Sequence, residues 1–95
     1  MPAIELHTGA YAHGWRQSRA ALHDLTRAAT HAASLGLAVH AGHGLTYDNV
    51  TPVAAIEPIE ELNIGHSIVS RAVMTGMYAA VSEMQRLVQA ARRPV

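Results

Sequence analysis

Three short apolar segments of the chain predict three β-strands. In Ala3–Leu6 the apolar residues alternate with Glu5, which is the pattern of a strand with one buried face. Leu37–Gly42 is a second short apolar run, and Glu61–Gly65 is the third candidate. Each segment is followed by glycine or polar residues, which are typical of turns.

The segment from about Trp15 to Leu35 predicts a long helix. Its apolar residues recur at steps of three and four, while the charged residues fall on the other positions. This stripe consists of Leu22, Leu25, Ala29 and Ala32 or Ala33. Gly36 follows directly, at the place where a glycine ends many helices.

Three further helices are predicted in the second half of the chain. A brief one lies within residues 50–56, with Pro52 in its first turn. A short one at about Ser67–Thr75 is closed by Gly76. The last has one apolar face and ends before Pro94. That face is formed by Met77, Val81, Met84, Val88 and Ala91.

Strands that alternate with helices indicate an α/β fold with parallel strands and right-handed crossovers. The 95 residues suffice for one small domain, so residues 1–95 are taken as a single domain. In such sheets the carboxyl ends of all strands lie along one rim, and ligands bind outside that rim. The residues that follow the strands are therefore the candidates for function.

The composition excludes several classes of partner and site. Acidic and basic residues balance at 7 each, so no net field favours nucleic acid or an acidic membrane surface. The absence of cysteine rules out disulfides and thiolate–metal sites. The start "MPAIELHTG" lacks the pattern of a secretory signal, and no apolar run reaches the roughly 20 residues of a membrane span. These features predict a soluble, cytoplasmic protein.

Histidine and glycine occur together after each of the three predicted strands. His7 is followed closely by Gly9, His43 is flanked by glycines, and Gly65 precedes His66. Histidine can donate or accept a proton near neutral pH, and glycine lets a ligand approach the backbone. A single glycine or histidine in a loop is usually structural, but three such pairs on one rim favour a functional site. His13, His23 and His31 are interpreted as solvated.

Gly65 and His66 stand immediately before the predicted short helix. Unpaired backbone N–H groups at a helix start, together with the helix dipole, bind phosphate. A metal site is the alternative interpretation of the histidines. It is disfavoured because His40 and His43 would point to opposite faces of a strand unless the chain kinks at Gly42.

Three segments together resemble the C-terminal part of the pyridoxine 5′-phosphate synthase family. They are "IELHTGAYA", "AASLGLAVHAGHGLTYDNV" and "ELNIGHSIVSRAVMTGM". The resemblance extends from Ile4 to about Ala91 and is weakest over Ala12–Leu25. The pair "AGHGLTY" and "ELNIGHSI", in that order, is much more specific than a lone glycine motif.

The resemblance implies a fold, a reaction and a set of site residues. The family is a (β/α)8 TIM barrel that condenses 1-deoxy-D-xylulose 5-phosphate with 3-amino-2-oxopropyl phosphate. The products are pyridoxine 5′-phosphate, phosphate and water, and neither a metal nor an organic cofactor is required. By resemblance His43 is the proton donor and Glu5 the carboxylate that assists the transition state. Gly44, Gly65 and His66 match the groups that hold the amino-ketone phosphate.

The sequence departs from the family in two respects. His40 stands where the family commonly has asparagine. A whole barrel takes about 250 residues, whereas this chain matches only the last three βα units and the short phosphate-binding helix. The family's N-terminal catalytic histidine, a second glutamate and several arginines have no counterpart here.

An incomplete barrel leads to further expectations. Open sheet edges invite pairing with other chains, so the isolated chain is expected to be marginally stable, oligomeric or prone to aggregation. It is also expected to lack activity without the N-terminal part of the barrel, and the resemblance implies a homo-oligomer of whole barrels. The alternatives are a non-catalytic phosphate-binding or assembly module and a His-rich metal-binding protein.

Overall fold

The computed structural model describes residues 2–92, which form three strands and five helices. In chain order the elements are β1 (Ala3–His7), α1 (Gly9–Gly14), α2 (Ala20–Ser34), β2 (Ala38–Gly42), α3 (Val50–Ala54), β3 (Ile59–Asn63), α4 (His66–Thr75) and α5 (Met77–Arg92). The predicted stop before Pro94 lies outside the described residues. None of the helices within residues 2–92 is long and apolar enough to cross a membrane.

The strands form one parallel sheet in the order β1–β2–β3. This confirms the predicted α/β class and the parallel pairing, and the unit is consistent with part of a TIM barrel. One face of the sheet packs against the helices. The core on this side includes Val39, Ala41 and Ile59 of the sheet, with Leu25, Ala29 and Ala32 of α2 against them.

The opposite face of the sheet is polar and open. Side chains alternate along a strand, so Glu5 and His7 point away from the helices that cover Ile4 and Leu6. The register places Glu5, His40 and Glu61 side by side in one row across the three strands. Charged and titratable groups therefore line the face that the helices leave exposed.

The predicted position of the third strand was wrong by two residues. The strand is Ile59–Asn63 instead of Glu61–Gly65, so it includes Ile59 and Glu60 and ends before Ile64 and Gly65. Its pairing with β2 is irregular, because Val39 pairs with Ile59 whereas the next residue, His40, pairs with Glu61. This bulge breaks the apolar–polar alternation that would reveal the strand in the sequence.

The predicted first helix was wrong at its beginning. A separate helix, α1, directly follows β1, and α2 begins only at Ala20 instead of Trp15. Between them the N–H groups of Gln17 and Ser18 donate to the carbonyl of Gly14, and Ser18 Oγ accepts a bond from Ala20 N at 3.0 Å. These turn bonds separate the two helices. His13 consequently lies on a helix rather than in a loop, although it is exposed as predicted.

Two glycines close helices as predicted. Gly36 has φ +80°, and its N–H and that of Leu37 donate to Ala33 and Ala32 at the end of α2. Gly76 has φ +87° and separates α4 from α5. A positive φ is unstrained only for glycine, so the predicted helix ends are correct at both positions. The brief helix around Pro52 is also confirmed, as α3.

Candidate active site at the carboxyl end of the sheet

The backbone of His43 adopts a strained conformation at the end of β2. Its φ is +94°, and His43 is the one non-glycine residue with a positive φ within residues 2–92. Such a conformation costs a residue with a Cβ about 1–3 kcal/mol and is concentrated at functional sites. The hydroxyl of buried Thr8 donates to the His43 carbonyl at 2.5 Å and holds this conformation in place.

Gly44 continues the turn with φ +77°. A Cβ at Gly44 would lie 2.6 Å from the Cβ of Ala12 on α1, so both the space and the backbone conformation require glycine there. The loop is consequently pressed against α1. Gly44, which was predicted as a site residue, is exposed at the rim.

The side chain of Asn49 fixes the rest of the loop. Its Oδ1 accepts the N–H of Thr46 at 2.7 Å, and its Nδ2 donates to the carbonyl of Gly44 at 3.2 Å. Tyr11 donates its hydroxyl to the carbonyl of Asn49 at 2.6 Å. Burial raises the pKa of Tyr11, so the phenol remains protonated and keeps this donor. The loop that carries His43 is thus rigidly attached to α1.

A cavity of about 480 Å³ lies between this loop and the start of α4. It is lined by His43, Gly44, Leu45, Thr46, Asn63, Ile64, Gly65, His66 and Ser67. Four of the five predicted site residues therefore meet in one cavity. Ser67 Oγ donates to the carbonyl of Leu45 at 2.9 Å and joins the two walls.

The first turn of α4 presents backbone donors to this cavity. The helix begins at His66, with Gly65 at its N-terminal cap, and the first main-chain bond to the cap is that from Val69 N to Gly65 O at 2.9 Å. The N–H groups before Val69 belong to the first turn, where a helix has no partners of its own for them. A Cβ at Gly65 would have no atom within 4 Å, so the space beside it is open. This arrangement can hold an anion.

Glu5, the fifth predicted residue, is connected to the cavity through Asn63. Nδ2 of Asn63 donates to Oε1 of Glu5 at 2.5 Å, and Asn63 lines the cavity. The bond runs diagonally across the middle strand, because Glu5 pairs with His40 and Asn63 pairs with Gly42. Gly42 has no side chain, which leaves room for that of Asn63. The carboxylate is thereby fixed at the same end of the open sheet face.

His40 does not join His43. Its Nδ1 lies 3.1 Å from Oε2 of Glu61, so the two histidines point to different partners. Within residues 2–92 no group of three or more His, Asp or Glu side chains is placed to hold a metal ion. The two histidines were expected on opposite faces unless the chain kinks at Gly42. The positive φ of His43, the next residue, supplies such a kink, and the His43 ring lies on that of His7, on the sheet face that also carries His40.

Two contributors to the site were not predicted from the sequence, namely Asn63, which holds Glu5, and Thr8, which holds the His43 backbone. His7 was expected on the rim, but its stacking on the ring of His43 was not predicted. Only the register of the strands reveals these contacts, because each joins residues more than 30 positions apart in the chain. The motif "HTG" at the end of β1 was the sequence feature that could have indicated His7 and Thr8.

This combination of fold and site is typical of α/β proteins that bind a ligand at the carboxyl ends of a parallel sheet. A titratable histidine, a carboxylate and a helix start for an anion lie together at the carboxyl ends of parallel strands. The class of protein thus follows from the placement of these groups, and the family follows from comparison with known proteins.

The chain belongs to the family described as "Pyridoxal phosphate biosynthesis protein PdxJ", whose model matches residues 1–90. It is 60% identical over 91 residues to a protein of Prochlorococcus marinus (strain MIT 9313) named pyridoxine 5′-phosphate synthase, and this match covers 95% of the chain and 37% of the relative. A protein of the same name from Synechococcus sp. (strain WH7803) is 58% identical over the same shares. The sequence-based recognition is confirmed. The chain spans a little over a third of the length of these relatives.

Proposed function

We propose that this chain forms part of a pyridoxine 5′-phosphate synthase. The reaction is the condensation of 1-deoxy-D-xylulose 5-phosphate with 3-amino-2-oxopropyl phosphate in vitamin B6 biosynthesis. The observation that carries the proposal is the cavity shared by His43 and the Gly65–His66 helix start. That cavity offers a proton-transfer group and an anion site to one small phosphate ester.

His43 is the proton donor of this mechanism. Its strained backbone is held by the hydroxyl of Thr8, which fixes the residue before substrate arrives and lowers the cost of positioning it. Gly44 exposes its backbone beside it. Gly65 and His66 bind the phosphate of the amino ketone through the first turn of α4, where the helix dipole favours a negative group.

Glu5 stabilises positive charge that develops in the transition state. The amide of Asn63 is an uncharged donor, so it orients the carboxylate without neutralising it. Glu5 lies on the polar sheet face, next to His40 in the register. In a closed barrel this face would point into the interior. Glu5 lies two residues before the carboxyl end of β1, and active sites of such barrels are built at the carboxyl ends of the strands.

The rest of the barrel is the partner that this unit requires. The chain corresponds to the last three βα units, and the N-terminal units supply the remaining catalytic groups. In support, both outer strands of the sheet have an open edge, and an apolar groove of about 710 Å³ runs beside β3, between it and α4 and α5. The isolated chain is consequently inactive, and the complete barrels form a homo-oligomer in the cytoplasm without a metal or organic cofactor.

A non-catalytic phosphate-binding module is the second candidate. It uses the same α4 start but needs neither Glu5 nor the ring of His43. The two functions therefore differ in their response to substitutions at these residues, and phosphate-ester binding without turnover, even in a closed barrel, would favour the second. A metal-binding protein would take up zinc or nickel stoichiometrically in a titration.

A chimaera tests the proposed activity. The matching segment of the Prochlorococcus marinus relative is replaced with this chain, and production of pyridoxine 5′-phosphate is measured with both substrates. The chimaera is expected to be active, the chain alone inactive, and the His43→Ala chimaera reduced by at least about a hundredfold. His23→Ala, at an exposed position of α2, is the matched control. A folded His43→Ala chimaera with full activity would contradict the role of His43.

A further inference from the structure

We propose that His7 is the positioning residue for His43. Their rings stack with centroids 4.2 Å apart and planes inclined by 26°. The inference rests on the proposed function in one respect, namely that His43 is the proton donor. It assigns to His7 the task of holding the imidazole of His43 in the orientation that the reaction needs.

The sheet register brings the two histidines together. His7 is the last residue of β1 and is paired with Gly42, the last residue of β2. Gly42 has no side chain that could stand beside His7. In a regular strand the next residue, His43, would point to the opposite face of the sheet. The positive φ of His43 breaks this alternation, and its ring lies on that of His7.

The backbone of Gly9 fixes the ring of His7. Its N–H donates to Nδ1 of His7 at 3.2 Å. This bond requires a lone pair on Nδ1, so the neutral ring carries its proton on Nε2. His7 thus has a defined tautomer as well as a defined orientation, and the stacked pair is anchored to the start of α1.

Gly9 also lies against both rings. A Cβ at this position would be 2.5 Å from Cε1 of His7 and 3.2 Å from Cδ2 of His43. The same glycine that donates to His7 therefore leaves room for the stack. The contact restricts the ring of His43 from one side, while the cavity that His43 lines remains available for substrate.

Such restriction matters because proton transfer depends on the position of the donor nitrogen. A misplacement of about 1 Å can cost a hundredfold in rate, and residues that lock the rotamer of a catalytic group prevent it. Stacked aromatic rings attract each other beyond the effect of the area that they bury. The stack therefore favours the rotamer of the exposed His43 imidazole in which the two rings overlap.

Nuclear magnetic resonance of the histidine-labelled 95-residue chain tests the proposal without substrate. His7→Gln removes the ring, whereas His7→Phe keeps an aromatic ring but loses the bond from Gly9. We expect the carbon-bound ring protons of His43 to move downfield in His7→Gln and to stay shielded in His7→Phe. His23→Gln, at an exposed position on α2, is the control and should leave His43 unchanged.

Two results would overturn the proposal. One is a His43 ring spectrum in His7→Gln that equals the wild type. The other is a loss of shielding in a folded His7→Phe variant, which would assign the effect to the Gly9 bond rather than to the ring. Since the measurement uses neither ligand nor turnover, its failure is distinguishable from a failure of the proposed function.

Discussion

Asn63 and Glu5 are joined by a hydrogen bond that crosses the whole width of the middle strand. The amide of Asn63 on β3 reaches the carboxylate of Glu5 on β1, 58 positions away in the sequence. Glu5 pairs with His40 and Asn63 pairs with Gly42, so the bond runs diagonally across β2. Gly42 has no side chain, which leaves room beside it for the side chain of Asn63.

Gly42→Ala is expected to break this link. The added Cβ would lie 2.9 Å from the carbonyl oxygen and 3.0 Å from the Cβ of Asn63, so backbone or side chain must shift. We expect a loss of about 1–3 kcal/mol in the free energy of unfolding, measured with urea, and a changed amide signal for the Asn63 side chain.

Gly14→Ala is the matched control for Gly42→Ala. No atom lies within 4 Å of a Cβ at Gly14, so the free energy of unfolding should stay equal or rise by up to about 1 kcal/mol. Equal stability of the two alanine variants, with an unchanged Asn63 signal, would contradict the role given to Gly42.

Because the backbone of His43 is strained, we predict that its glycine variant is more stable than its alanine variant. At an ordinary helical position the order is the reverse. Both His43→Ala and His43→Gly lose the ring, so they differ chiefly in backbone preference. At φ +94° the glycine variant should be more stable by about 1 kcal/mol. At His23, inside α2, the alanine variant should be the more stable by about the same amount. Thermal or urea unfolding of the four variants gives the difference in stability between the alanine and the glycine variant at each position. This difference should have opposite signs at His43 and His23.

Tyr11 predicts a pH dependence of stability at alkaline pH. Burial raises its pKa in the folded state above the ordinary 10.0, so between these two pKa values the folded chain binds more protons than the unfolded chain. The stability due to the protonated phenol is therefore fully present below about pH 10 and is lost as the pH rises through the folded pKa. Tyr11→Phe should remove this component of the alkaline loss.

At neutral pH the same substitution leaves the buried carbonyl of Asn49 without its donor. Tyr11→Phe should then cost about 1–2 kcal/mol in the free energy of unfolding. Tyr78→Phe is the control, because Tyr78 is 88% exposed and its hydroxyl should contribute little. An alkaline profile of Tyr11→Phe with the same slope as the wild type would argue against the assignment.

Local patterns in the sequence were sufficient for most of the fold. Gly36 and Gly76 ended the helices as predicted, because glycine at a positive φ is a local signal. The start of β3 was mispredicted because the bulge beside Ile59 interrupts the alternation. Helix α1 was missed because it is only one and a half turns long and depends on Tyr11, whose partner Asn49 lies far along the chain.

The candidate site was predictable only in its composition. His43, Gly44, Gly65 and His66 follow strands, and strand ends of a parallel sheet share one rim whatever the register. The contacts of Glu5 with Asn63 and of His7 with His43 depend on which residues face each other across β2. Register is set by the packing of all three strands, so no local pattern contains it.

In the proposed function, the start of α4 and the loop after β2 bind a phosphate ester. The most direct test of this claim is a titration of the ¹⁵N-labelled chain with 3-amino-2-oxopropyl phosphate, followed through the backbone amides. We predict saturable shifts at Gly44, Gly65 and His66, and none with the dephosphorylated amino ketone. Unchanged amides at these residues, or equal shifts at the start of α2, would contradict the claim.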